Sequence, residues 1–305
     1  MNPPSLPAGV TVIERGWLSS NNVLLLPARG ESGPRTLVDA GYCTHAAQTL
    51  ALVDAALAGR ALERLVNTHL HSDHCGGNAA LQQRHPGLRT AIPPGQAAQV
   101  RAWDAVALSY QPTGQQCPRF AFDAVLQPGT TERLGGRDWQ VHAAPGHDPH
   151  AVLLFEPASR VLISADALWQ NGFGVVFPEL EGEQAFADVG ATLDLIEHLD
   201  PLTVIPGHGS VFADVGPALA RARRRLDGFV GDPRKHAHYA AKVLLKFKLL
   251  ELQRLPLAAL LGWATATPYL RTLYATHFGD ENDLPTWAQG LVDDLVRSGA
   301  ARAEQ

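Results

Sequence analysis

The 305-residue sequence predicts an α/β fold with a helical C-terminal subdomain. Two successive runs of short apolar, β-branched segments are each followed by a helical stretch. One of those strands runs directly into a histidine-rich loop. Beyond Gly216 the composition shifts to amphipathic helical segments with little β signal between them.

The first run places strands at Val10–Ile13, Asn22–Leu26 and Thr36–Asp39. An Ala- and Leu-rich helix follows from about His45 to Ala58. Leu62 to Asn67 reads as a strand entering the His-rich loop. Asn78 to Arg84 reads as a helix stopped by Pro86 and Gly87. Residues 88–130 are broken by Pro93, Pro94, Pro112 and Pro118 and by the aromatics Trp103, Tyr110 and Phe120, so a loop-and-helix insertion is expected there.

The second run places strands at Trp139–Ala143, Ala151–Phe155 and Val161–Ser164. A helix from Ala185 to Leu199 carries an apolar stripe at Phe186, Val189, Leu193 and Ile196. Leu202 to Pro206 is a further short strand. Helices are then expected over 217–230, 242–255, 257–263, 268–276 and 285–298. The division is therefore drawn as residues 1–215 for the α/β domain and 216–305 for the helical subdomain.

Composition narrows the function classes. Hydrophobic residues make up 46% and charged residues 18%, enough for a core and far from a disordered chain. With 25 basic against 30 acidic residues, the net charge of -5 gives no global pull toward nucleic acid or anionic membrane. The most apolar window, Leu255 to Ala266, holds Pro256 and Gly262 and falls well short of the roughly 20 residues of a membrane span. The stretch MNPPSLPAGV lacks a basic segment followed by an apolar run, and is read as no secretory signal. Three cysteines, Cys43, Cys75 and Cys117, suit a reducing cytosol better than a disulfide scaffold. A cytoplasmic protein is expected, with a small-molecule substrate and no membrane as partner; nucleic acid is disfavoured but left open, as is a homodimer.

The segment Thr68-His69-Leu70-His71-Ser72-Asp73-His74-Cys75-Gly76-Gly77 carries the chemistry. Residues two apart on an extended chain point the same way, so His69 and His71 can grip one metal together. A turn at Ser72 would let Asp73 and His74 face the other side, so that one loop serves two ions. Three further candidates each follow a strand: His147 in Pro145-Gly146-His147, Asp166 in Ser164-Ala165-Asp166, and His208 in Pro206-Gly207-His208-Gly209. This N/O donor set suits two divalent ions, zinc first, with iron or manganese as alternatives. Asp166, separated from both clusters, is the natural carboxylate bridge.

In order and spacing these pieces, together with Val38-Asp39-Ala40-Gly41, resemble the metallo-β-lactamase superfamily over roughly residues 10–215. The resemblance implies an αββα sandwich. It implies that His69, His71 and His147 hold one metal, that Asp73, His74 and His208 hold the other, and that Asp166 bridges. Asp39 would stand behind the ligands and orient them. Having Asp166 and no signal peptide, the chain is more similar to the glyoxalase II, lactonase and nuclease branches than to the antibiotic-degrading members. The C-terminal segment is loosely similar to a winged-helix-like tail found on some members.

The expected function is a dinuclear hydrolase that cleaves a small thioester, ester or lactone with a metal-bridging hydroxide, Asp73 holding that hydroxide and accepting a proton. Cys75 is expected to pack as a small apolar residue rather than act as a nucleophile. Trp169, Phe173 and Phe177, after Asp166, are candidate walls of an apolar pocket. The run Arg221, Arg223, Arg224, Arg225 is read as a solvated helix face with Leu219, Leu226 and Val230 buried behind it. His236, His238 and Tyr239 are candidates to contact the site from the C-terminal subdomain, although His236 and His238 are rather expected on a helix surface. The glutathione-contacting Arg/Lys pattern of glyoxalase II is not recognisable, which favours another acyl thioester. The alternatives are a phosphodiesterase or ribonuclease of the same fold, and a mononuclear-iron persulfide dioxygenase.

Overall fold

The computed structural model of the chain describes residues 4–280 and 282–304. Six strands form one sheet in sequence order: β1 (Val10–Ile13), β2 (Asn22–Leu25), β3 (Thr36–Val38), β4 (Arg64–Val66), β5 (Arg89–Ile92) and β6 (Ala124–Val125). The first three are antiparallel neighbours and the rest pair in parallel. The second sheet holds β7 (Thr131–Leu134), β8 (Arg137–Ala143), β9 (Val152–Glu156), β10 (Val161–Ala165) and β11 (Thr203–Pro206). Only its β10–β11 pair is parallel.

The helices are α1 (Ala46–Leu57), α2 (Ser72–Cys75), α3 (Asn78–Arg84), α4 (Ala97–Ala102), α5 (Phe177–Leu180), α6 (Phe186–Leu199), α7 (Val215–Gly231), α8 (Pro233–Leu252), α9 (Leu257–Ala266), α10 (Pro268–His277) and α11 (Leu284–Arg297). A parallel pair needs a crossover, and α1 and α3 supply it between β3, β4 and β5.

Side-chain alternation builds an αββα sandwich. Val23, Val38, Val66, Val141, Val152, Leu154, Ile163 and Ile205 share one cluster between the sheets, around the fully buried Trp139. Their strand neighbours point outward: Leu24, Leu37 and Leu65 meet Val53 and Leu57 of α1. Leu153, Leu162 and Val204 meet Leu193 and Ile196 of α6 and Ala218 and Ala222 of α7. Because both faces are covered, these strands read as continuous apolar runs rather than alternating ones.

The chain after β11 is helical. Ala240, Ala241, Leu244 and Leu245 of α8 pack with Leu260, Leu270, Leu273, Leu291 and Leu295 from α9, α10 and α11. Among the described residues no helix is long and apolar enough to cross a membrane.

Several local expectations need correction. The 88–130 segment is not only loop and helix. Thr90, Ala91 and Ile92 of β5 are buried in the first sheet, and β6 closes its edge. The aromatics Trp103, Tyr110 and Phe120 that obscured the pattern form a cluster with Leu70 and Cys75 beneath the His-rich loop. The helix expected over 242–255 begins at Pro233, where the fixed φ of a first-turn proline suits helix initiation. Ser72 opens a one-turn helix, α2, rather than a turn. On α7, Leu219 is buried as expected but Val230 is exposed, and Phe229 takes the inward position.

Candidate metal centre

The His-rich loop leaves β4 in extended conformation and enters α2 at Ser72. Leu70 is buried in the aromatic cluster, so His69 and His71 on either side of it share the opposite face. Their ring centroids lie 4.6 Å apart. His147, just beyond β8, completes the group at 5.0 Å from His69 and 4.5 Å from His71, the three rings nearly perpendicular. His147 donates from Nδ1 to the Val175 carbonyl at 2.5 Å, which fixes the ring and leaves Nε2 facing His71 Nδ1 at 2.8 Å.

Asp73, His74, Asp166 and His208 form a second group. In each group the candidate ligand atoms lie within 4.8 Å of one another. Asp73 Oδ2 is 3.0 Å from His208 Nε2. Asp166 faces both groups: Oδ1 is 3.4 Å from His74 Nε2, and Oδ2 is 3.4 Å from His147 Nε2 and 3.8 Å from His208 Nε2. Gly207 is required beside it, since a Cβ there would strike Asp166 Oδ1 and crowd His74. Ala165 and Asp39 carry positive φ values of 46° and 59°, so strained backbone adjoins the donors on two strand ends.

A layer of polar contacts holds the ligand loops. Asp39 Oδ2 lies 2.8 Å from His74 Nδ1 and accepts from the Thr68 hydroxyl, while Oδ1 accepts from the Thr68 N–H. This directs His74 Nε2 toward Asp166. Asn67 and Asn78 bond each other, and Asn67 also donates to the His74 carbonyl. Asn21 donates to the carbonyls of Pro206 and Gly209 around His208.

His69 Nε2, His74 Nε2 and His208 Nδ1 are buried and have no hydrogen-bond partner. Leaving a buried polar atom unsatisfied costs about 1–3 kcal/mol, and a cation in reach of the two Nε2 atoms removes that cost. Burial, then the neighbouring His74, His71 and His147, pushes His69 well below the ordinary histidine value. Burial, then His71, takes His147 down to about 4. Both are thus held as neutral imidazoles, the form that ligates a metal. Burial opposes charge on Asp166, yet His208, His74 and His147 hold it well below the usual carboxylate range. The donor set therefore fits two divalent ions.

The centre opens into a cavity of about 420 Å³ with a mainly apolar lining. Trp169 lines it, donates from Nε1 to Asp166 Oδ1 at 3.2 Å, and meets His208 edge-on. Phe177 lines it and packs edge-on against His71 and His147. Phe173 does not: it is buried among Val176, Val189 and Phe229 in the layer between the second sheet and its helices. With glycines on both sides, its position in the sequence gave no sign of which way it turns.

Trp17 and Asp148 carried no sequence signal. Trp17, 57% exposed between β1 and β2, stacks on His208 at 5.4 Å. Asp148 is buried 3.8 Å from His71 Nε2. Tyr239, a candidate from the C-terminal subdomain, reaches the cavity from α8 together with Lys242, Val243, Lys246 and Phe247. The periodicity of those four marked an amphipathic helix but not what its face covers.

The arginine run is largely committed within the chain. Arg221 bonds Asp214 and the Gln170 carbonyl, Arg223 bonds Asp194 and Glu197, and Arg225 bonds the Phe173 carbonyl and lies over the Tyr239 ring. His236 is not a surface residue. It is buried, and its Nε2 accepts from the Val176 N–H at 3.0 Å. His238 is half-exposed and pairs with Asp294. Cys75 is fully buried against the Tyr110 hydroxyl and the Leu70 and His71 carbonyls, and burial first, then Cys117, pushes its thiol well up.

Comparison with known proteins agrees with this geometry. A hydroxyacylglutathione hydrolase from Acidiphilium cryptum is 33% identical over 72% of this chain and 74% of its own length. Other relatives carrying that name match over about half of their length. A β-lactamase domain protein from Burkholderia ambifaria superposes with a TM-score of 0.61 at 22% identity, covering 89% of this chain and 88% of that one. TTHA1623, solved in a di-iron-bound form, gives 0.55 at 26% identity over 70% of this chain and 98% of that one. The family model described as the metallo-β-lactamase superfamily matches residues 15–208, which hold every donor described above, and the chain belongs to that superfamily of metal-dependent hydrolases.

Proposed function

We propose that the chain is a dinuclear hydrolase of a small thioester, ester or lactone. The observation that carries this reading is the placement of Asp166, whose two carboxylate oxygens face the two donor groups at the base of an apolar cavity. His69, His71 and His147 would hold one ion and Asp73, His74 and His208 the other, with Asp166 between them. Zinc is the first expectation, with iron (as in TTHA1623) or manganese as alternatives. Two such ions would supply a water of near-neutral pKa and polarise the substrate's carbonyl oxygen.

The chain's own residues do the rest. Asp73 lines the cavity beside His208, where its Oδ2 can take a proton from the attacking water and pass it to the leaving group. Trp17, Trp169 and Phe177 pack apolar rings against the ligand histidines, which lowers the local polarity and strengthens each charge interaction. The relatives named hydroxyacylglutathione hydrolase support a thioester as substrate class. The internal pairing of Arg221, Arg223 and Arg225 leaves less basic surface for an RNA, which counts against the phosphodiesterase reading. A complete second donor group counts against a mononuclear-iron dioxygenase.

The test is a paired assay on metal-loaded protein, an acyl thioester against a bis-aryl phosphodiester, with Asp73→Asn as the blank. Thioester cleavage lost in the variant is the expected result. Cleavage of the phosphodiester alone would replace this reading with its rival.

A further inference from the structure

We propose that the cavity over the metal centre is an acyl-chain site, so that the substrate is a thioester or ester of an unbranched fatty acid of medium length. This rests on the hydrolase reading and adds the substrate class to it.

The argument starts from one helix face. Tyr239, Val243, Phe247 and Leu250 of α8 all line the cavity. Their spacings of four, four and three put them on a single stripe. At 1.5 Å rise per residue, that stripe runs about 16 Å. The same cavity includes His71, Asp73 and Asp166, and Val175 from the loop after β10 and Phe177 from α5 face it. Tyr239 lines the same cavity as Asp73 and Asp166, with the Arg225 guanidinium over its ring. A carbonyl at the metal ligands thus has a long apolar wall beside it, suited to a chain rather than a compact ring.

Two lysines also line this space. The Lys246 ammonium donates to the Ala300 carbonyl. The stems of Lys242 and Lys246 add apolar surface to the wall, as long charged side chains do while the head stays in polar surroundings.

The reaction balances with water alone. The acyl carbon–sulfur bond breaks, a carbon–oxygen bond forms to water, one water proton leaves with the thiol, and the acid is released as carboxylate plus a proton.

The experiment measures kcat/KM on metal-loaded protein for acetyl, butyryl, octanoyl and lauroyl thioesters of one thiol. A second series holds the acyl group at acetyl and lengthens an alkyl thiol. The acyl series is expected to gain about fourfold per buried methylene up to the chain that fills the site. Leu250→Trp, and separately Val243→Phe, should lower the octanoyl-to-acetyl ratio about tenfold. That ratio is taken within one preparation, so partial misfolding cancels. Turnover with a flat acyl profile overturns the inference and leaves the hydrolase reading standing. Dependence on the thiol chain instead assigns the cavity to the leaving group and overturns the acyl assignment. No turnover in either series overturns the acyl-chain assignment, and no turnover of a thioester, an ester or a lactone overturns the hydrolase reading itself.

Discussion

Asp39 reaches His74 Nδ1 at 2.8 Å from a backbone conformation with φ of 59°. The carboxylate also accepts from the Thr68 N–H and hydroxyl, so it ties a strand end to both ends of the His-rich loop. An acceptor on Nδ1 fixes the tautomer that leaves Nε2 free for a metal. Asp39→Asn should therefore weaken metal binding about 10- to 100-fold. Competition with a chromophoric chelator measures this, and unchanged affinity would show that the loop alone sets the His74 ring.

Asp73→Asn tests a residue assigned to both binding and proton transfer. Its carboxylate lies beside His208 and lines the cavity. Turnover should fall about a thousandfold or more, and bound metal should drop by about one equivalent per chain. Elemental analysis beside the rate separates the two roles. Full metal content with lost turnover would leave Asp73 a proton-transfer group alone.

Removing the ions should soften the fold. The unpartnered Nε2 atoms of His69 and His74 return to an unsatisfied state in the metal-free protein. Ligand linkage gives about 4 kcal/mol at a thousandfold excess over Kd. Chelation should lower the melting temperature by several degrees, and zinc, manganese or ferrous iron should restore it. Identical melting curves with and without chelator would argue against any tight ion.

The buried His236 makes an acid-sensitive joint. Burial first, then His277, takes its pKa from 6.5 down to about 4, and its Nε2 accepts from the Val176 N–H. Between those values the unfolded chain binds the extra proton, so stability present above about 6.5 is lost as the pH falls toward 4. The full effect has an upper limit of about 3 kcal/mol. His236→Gln keeps an acceptor without a titration, and its melting temperature should fall less steeply between pH 7 and 5. Parallel slopes would place the pH sensitivity in other groups.

The sequence revealed the layers and the donors for different reasons. Strands covered on both faces appear as apolar runs, which is why Val23–Leu25 and Val152–Phe155 were readable. The donors lie at strand ends with fixed local spacing, and local spacing is what a sequence displays. The missed elements depend on distant partners. β5 lies among prolines and aromatics whose packing under Leu70 is a tertiary matter. Trp17 reaches His208 across nearly two thirds of the chain, and nothing near Gly16 marks that stacking. Phe173 and Phe177 look equivalent in the sequence, yet only Phe177 faces the cavity, and the intervening Gly174 lies against His147.

The family match ends at residue 208, before α7 begins, while much of one cavity wall belongs to α8. The family model thus accounts for the metal-dependent hydrolase core and stops short of the wall that faces the substrate space. Two proteins sharing every donor here could differ wholly in diet if their tails differ, and grafting one tail onto another's sheets would be a direct way to exchange appetites while leaving the chemistry alone.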